Sequence, residues 1–170
     1  TGESIGDPTE TALLLYAQKQ GCDIDDTRKK MRRVAEIPFS SERTQMTTFH
    51  ADGLGHCVIY TKGAPERILS QCGNVDAEKL LHDASQKASR GLRVLAFAYR
   101  IVDHIPSQTE LHGYEKGLTF LDFVGLIDPP RPEVEQSIKE CLSASIQVVM
   151  ITGDHAETAV AIANQVQMKN

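Results

Sequence analysis

The sequence predicts an α+β protein: an antiparallel sheet with flanking helices over residues 1–120, then a partial α/β, Rossmann-like segment over residues 121–170. Three observations point there. Short strand-like runs alternate with turn residues between positions 34 and 61, as in hairpins. Several helical stretches carry their own start and stop signals. Near residue 119 the pattern changes to strand–helix–strand–helix, the repeat of an α/β sheet. The composition of the 170 residues, 41% hydrophobic and 24% charged, is that of a soluble globular chain with a real core. A net charge of −5, from 18 basic and 23 acidic residues, argues against sequence-independent nucleic-acid binding. No run approaches the roughly 18 apolar residues of a membrane-spanning helix. The first residues do not have the pattern of a signal peptide.

Element by element, Asp7-Pro8-Thr9-Glu10 places an N-cap residue, a proline at the first helical position and a carboxylate at the third. A helix over 11–20 follows, and Gly21 stops it. Residues 23–33 are charged and read as an exposed helix. Residues 34–39 form a short strand broken by Pro38, and 45–50 form a second. Asp52-Gly53-Leu54-Gly55 is a turn, and 56–61 returns as a third strand. Pro65 opens a helix to about residue 71, and 76–90 is another, ended by Gly91. Residues 92–100 are an apolar strand, and 103–117 a polar loop. Residues 120–127 read as a strand and 133–143 as an amphipathic helix. The apolar run 146–151 reads as a buried parallel strand, and 156–165 as a helix. Two strands and two helices of such a sheet leave edges and apolar faces uncovered. The cysteines, Cys22, Cys57, Cys72 and Cys141, show no C-x-x-C spacing and read as reduced, mostly buried thiols.

Several residues have both a structural and a chemical reading. Phe39, at a strand end, is either an ordinary core ring or a platform for a base; such stacking is worth about 1–3 kcal/mol. Lys62 and Gly63 end a strand before a helix: a solvated lysine beside a turn glycine, or a cation where backbone approaches phosphate. There is no Walker phosphate loop. Arg93 shares a strand face with Leu95, and on a mostly buried strand it needs an anion or a carboxylate. Asp7 and Glu10 suit a capping box and equally a ligand contact. Thr152-Gly153-Asp154 lies where α/β sheets bind ligands, beyond a strand's carboxyl end. Its hydroxyl and carboxylate suit phosphate and Mg²⁺, although Asp154 also suits a helix cap. The six histidines show no paired metal-ligand spacing.

Each of these signals is weak alone, but their order is specific. The succession GDPTETAL (6–13), FSSERTQM (39–46), KGAPE (62–66), GLRVLAFA (91–98), FVGLIDPPRPEV (123–134) and VVMITGDHAETAVAIA (148–163) resembles P-type cation-transporting ATPases, the calcium-pump-like branch above all. The resemblance implies a nucleotide-binding domain over residues 1–120 and part of the HAD-like phosphorylation domain over 121–170. It implies that Phe39 stacks on adenine and that Glu10, with Thr9 and Asp7 nearby, contacts the adenine side. Lys62 would sit deep in that pocket beside Gly63, with Met46 and Leu95 lining it and Arg93 reaching toward the phosphates. Asp128, Thr152, Gly153 and Asp154 match positions around the phosphate and Mg²⁺. ATP and Mg²⁺ are the implied cofactors. The implied partners are the phosphorylation, actuator and membrane domains of a pump, at the cytoplasmic side of a membrane.

Three departures qualify that picture. The family's phosphorylated aspartate, in DKTGT, does not occur in these residues, nor do the later aspartates of the phosphorylation domain. The sequence therefore reads as a catalytically incomplete piece of a larger pump. Thr44 and Ser41 stand where pumps often carry cations, so modest ATP affinity is expected. Thr1-Gly2-Glu3-Ser4 spells an actuator-domain signature in the wrong neighbourhood and is read as coincidence. Two rival readings are a self-standing nucleotide-binding or regulatory module without transport and, further off, a small hydrolase built on the C-terminal portion.

Overall fold

The computed structural model describes residues 7–73, 75–127, 130–153 and 156–168. Helices α1 (Pro8–Lys19) and α2 (Ile24–Lys30) lead into strands β1 (Arg32–Ser40), β2 (Gln45–Ala51) and β3 (Cys57–Gly63). Helices α3 (Pro65–Leu69) and α4 (Ala77–Ala88) come before β4 (Arg93–Val102). A 3₁₀ turn (Leu111–Tyr114), β5 (Thr119–Leu126), α5 (Val134–Ser143) and α6 (Ala156–Gln165) complete the described elements. The strands form one sheet in the order β1-β2-β3-β4-β5. Pairing from β1 to β4 is antiparallel throughout. The architecture is α+β, an antiparallel sheet with flanking helices.

The chain divides into two compact units. One comprises the chain up to Val75 together with Ala96–Asp122; the other comprises Asp76–Leu95 and the chain from Phe123 onward. In the first unit, Ile37, Phe49, Cys57, Ile59 and Leu111 form the apolar core. Strand alternation puts Gln45, Thr47 and Phe49 on the buried face of β2, with Cys57, Ile59 and Thr61 on that of β3. In the second unit, Ala84 of α4, Ile138 of α5 and Val166 are buried. Gly91 lies close to α6: a Cβ there would meet the Gln165 side chain at 3.1 Å.

Most predicted elements are present, and the differences have physical reasons. The predicted helix over 23–33 ends at Lys30, and Arg32 and Arg33 begin β1. Strand β1 spans nine residues and keeps Pro38. As an edge strand it tolerates a residue with no N–H, and its register shifts between Ile37 and Ser40 around that proline. The predicted strand 120–127 exists, but it joins the sheet beside β4 rather than opening an α/β repeat. The predicted buried strand at 146–151 is not formed. Ile146, Val149 and Ile151 are exposed, Ile151 to 95%, because no partner strand flanks them among the described residues. The cysteines are free thiols; Cys57 is buried, whereas Cys22 is exposed.

The buried face of the sheet is not uniformly apolar. Glu115, 5% exposed, accepts from Thr47 Oγ1 at 2.7 Å and from Arg43 Nη1 at 2.8 Å. Thr47 and Thr61 share a further hydrogen bond at 3.1 Å. Burial pushes the Glu115 carboxyl upward, but the hydrogen bonds from Thr47 and Arg43, with the Arg43 charge, outweigh it and hold the group below its ordinary 4.5. A depressed folded-state value contributes stability above pH 4.5 and loses it as pH falls through the folded value. In urea unfolding, Glu115→Gln should cost about 1–3 kcal/mol near neutral pH. The difference from the unmodified chain should shrink as pH drops below 4.5 and through the lowered folded-state value. A difference that does not change with pH would contradict this account.

Candidate functional site

Strand register assembles the site on the open face of the sheet. Met46 stands opposite Lys62, and Lys62 opposite Phe97. The β1 irregularity, between Ile37↔Thr47 and Ser40↔Gln45, leaves Pro38 and Phe39 together facing Met46. One rung across four strands thus reads Phe39, Met46, Lys62, Phe97. Met46, Lys62 and Phe97 are half-buried, while Phe39 is 58% exposed. A cation flanked by a thioether and an aromatic ring, with a second ring at the edge, suits a flat ligand that carries acceptors.

Helix α1 brings carboxylates to this rung. Asp7 caps it, accepting from the Thr9 amide at 2.8 Å and the Glu10 amide at 3.3 Å, with Pro8 in the first turn. That start places Glu10 in the first turn, and Lys62 Nζ donates to Glu10 Oε1. The Thr9 amide chiefly, then that of Glu10, with a contribution from the Lys62 charge, holds the Asp7 carboxyl below its ordinary value. Asp7 therefore caps the helix, and Glu10, in its first turn, pairs with the lysine.

Gly63 is explained by close approach. A Cβ there would stand 2.4 Å from the Thr44 carbonyl oxygen and 2.8 Å from Gln45 Cβ. The Ala64 amide donates to that same carbonyl at 3.0 Å. Gly63 thus sets the spacing of β2 and β3 next to Lys62.

The structure brings Asp7, Thr9, Glu10, Phe39, Met46, Lys62 and Gly63 into the first unit. Arg93 and Leu95 begin β4 and belong to the second. Arg93 is exposed, which corrects the expectation of an arginine on a mostly buried strand; Val94 and Leu95 beside it are only half-buried. Thr152 and Gly153 are exposed, in the second unit. Asp128 and Asp154 lie outside the described residues. Phe97 escaped the sequence reading; its signal was the alternation Ala96-Phe97-Ala98, with both alanines buried. A hollow of about 500 Å³ beside α1 and α2, lined by Leu14, Cys22, Asp23 and Arg28 among others, holds none of the site residues.

Comparison with known proteins agrees with this architecture. Residues 1–133 match the family model described as P-type ATPase, cytoplasmic domain N. The chain is 41% identical, over 96% of its length, to a calcium-transporting ATPase of Bacillus subtilis, and covers 20% of that protein. It is 37% identical over 99% of its length to calcium-transporting ATPase 1 of Lactococcus lactis, again covering 20%. A cation-transporting ATPase of Synechocystis is 40% identical over 95% of the chain, which covers 19% of it. The chain belongs to the P-type ATPase family, and most of it is the cytoplasmic N domain. It spans about a fifth of the length of the curated relatives it matches. Among the described residues, no helix is long and apolar enough to cross a membrane.

Gly63→Ala should force β2 and β3 apart, because the obstructing atoms are backbone and Cβ atoms rather than a flexible side-chain tip. The expected loss is about 1–3 kcal/mol in denaturant unfolding. Amide shifts should concentrate at Thr44, Gln45 and Lys62. A variant as stable as the parent, with shifts confined to position 63, would show that the strands part without cost.

Proposed function

We propose that the first unit binds ATP through the Phe39–Met46–Lys62–Phe97 rung. The observation that carries this reading is the rung itself, with Lys62 opposite Met46 and Phe97 on the neighbouring strands and its ammonium paired to Glu10. The base would stack on Phe39, and Lys62 would donate to its ring acceptors with Met46 beside it. Glu10, with Thr9 and Asp7 close by, would meet the same edge of the base. Gly63 keeps the strand spacing that lets Lys62 project. Arg93 would reach toward the phosphates, its guanidinium charged at any working pH, and Leu95 would add to the apolar wall.

We further propose that these residues serve a cation-transporting P-type ATPase, as the names of the relatives indicate. Calcium is the ion favoured by the matches in Bacillus subtilis and Lactococcus lactis. In that parent, residues 121–170 would begin the phosphorylation domain. Asp128, Thr152, Gly153 and Asp154 would then stand near the transferred phosphate and its Mg²⁺, which would offset charge at that centre. Of these four, only Thr152 and Gly153 are described, and Gly153 has open space where a Cβ would be. The remaining partners would be the actuator and membrane domains, at the cytoplasmic side of a membrane. The 170 residues alone lack the DKTGT aspartate, so they would bind nucleotide without turning it over. Thr44 supplies no cation at its position; its hydroxyl bonds the Arg43 carbonyl. Ser41 is exposed and uncharged. Modest affinity is the expectation.

The test is an ATP titration of the chain by calorimetry or NMR, beside Phe39→Ala and Lys62→Ala. Losing a stacked ring should weaken binding about 5- to 100-fold. Lys62→Ala should weaken it by about 10-fold or more. Binding unchanged in both variants, or shifts clustered away from the rung, would overturn the reading.

A further inference from the structure

Phe39 sits where the strand ladder does not hold it. Regular pairing ends at Ile37↔Thr47 and resumes at Ser40↔Gln45. Pro38, just before it, has no N–H to give. The ring is 58% exposed and outside the core cluster. An exposed side chain on an unpaired bulge would ordinarily lose considerable freedom on binding a ligand.

What reaches this stretch is Arg43. Its Nη2 donates to the Pro38 carbonyl at 2.5 Å, the carbonyl of the peptide bond that joins Pro38 to Phe39. The same nitrogen reaches the Gln45 carbonyl at 3.4 Å. Nη1 donates to both Glu115 oxygens, at 2.8 and 3.1 Å. Glu115 is buried and is anchored to the middle of β2 by Thr47. One planar guanidinium therefore ties the residue before Phe39, the strand after the turn, and a carboxylate 72 positions away. The turn itself is pinned by the Thr44 amide on the Ser40 carbonyl at 2.8 Å, with Thr44 at φ 51°, in the left-handed region.

We infer that Arg43 and Glu115 are positioning residues that hold the Phe39 ring ready for a planar base without touching the base themselves. The inference rests on the stacking role proposed for Phe39. The geometry calls for arginine. A lysine is a single point charge and cannot bridge the Pro38 carbonyl and a two-point carboxylate in one plane. Glu115 gives the fork a fixed anchor because its own oxygens are already engaged by Thr47 and Arg43.

Two measurements on the chain test this. In the ligand-free protein, NMR relaxation should show residues 38–44 and the Phe39 ring becoming more mobile in Arg43→Lys. Glu115→Gln should do the same, with Phe49 and Ile59 unchanged in both. Unaltered mobility at Phe39 in both variants would overturn the inference. In ATP titrations, Arg43→Lys should weaken binding about five- to tenfold when Phe39 is present, and less than about twofold in a Phe39→Ala background. Equal losses in the two backgrounds would show that Arg43 acts on the nucleotide directly or through the fold at large, and the inference would fail. If Phe39→Ala alone leaves ATP binding intact, the stacking role falls, and the relaxation data still decide whether Arg43 positions the ring.

Discussion

Residues 52–56 set the strand register, and Lys62 faces the open side only in that register. Asp52 Oδ1 accepts from the amides of Leu54 at 2.8 Å and His56 at 3.1 Å, and His56 Nδ1 lies 2.7 Å from Oδ2. Gly53 and Gly55 take φ of +76° and +100°, in the left-handed region that favours glycine. From this turn, pairing runs without interruption from Ala51↔Cys57 to Gln45↔Gly63. A slip of one residue in β3 would carry the Lys62 ammonium to the buried face beside Phe49 and turn Ile59 out of it. Burying that charge without a partner would cost far more than the slip could regain. The site therefore inherits its geometry from a turn at the far end of the hairpin.

The buried face reinforces the same register by a different means. Toward the hairpin turn it is apolar, with Phe49, Ile59 and Cys57 fully buried. Toward the site it becomes polar: Gln45, Thr47 and Thr61 are as deeply buried. Apolar pairs tolerate approximate contact, but buried hydroxyls and carboxylates need partners at hydrogen-bond distance. Thr47 meets both Thr61 and Glu115 only when its rung is in place. The polar end thus adds specificity where the site needs it, and the apolar end supplies most of the burial.

What the sequence made legible was local, and what it hid was long-range. Asp7, Pro8 and Glu10 announce the start of α1 through capping chemistry that spans four residues. Gly21 and Gly91, with φ of +85° and +80°, mark helix ends for the same local reason. The order of short motifs was enough to identify the family and to single out Glu10, Phe39, Met46 and Lys62. Register is a property of pairs of strands, so the approach of Phe97 to Lys62 could not be read from either strand alone. The Arg43–Glu115 pair joins a tight turn to a polar loop with no periodicity to flag it. The apolar run 146–151 misled because hydrophobicity alone records a preference for burial, and strand formation also requires a neighbour to pair with.

Helix α1 shows how lightly the carboxylate side of the site is held. It contributes no buried residue, and Leu14, Leu15 and Tyr16 on it are exposed. A twelve-residue helix has little intrinsic stability, and tertiary packing normally provides the rest. Here the Asp7 cap supplies part of it, and the Glu10–Lys62 ion pair ties the first turn to the sheet. The pair is asymmetric, with the lysine side chain 18% exposed and the carboxylate 51%. A half-exposed pair of this kind contributes little net stability, because water solvates its carboxylate nearly as well. The backbone of Lys62, by contrast, is fixed by its strand neighbours, with Met46 on one side and Phe97 on the other. In the proposed site, an acceptor arriving on the rung would therefore share or replace Glu10 at small cost, because the strand that carries the lysine is already in place.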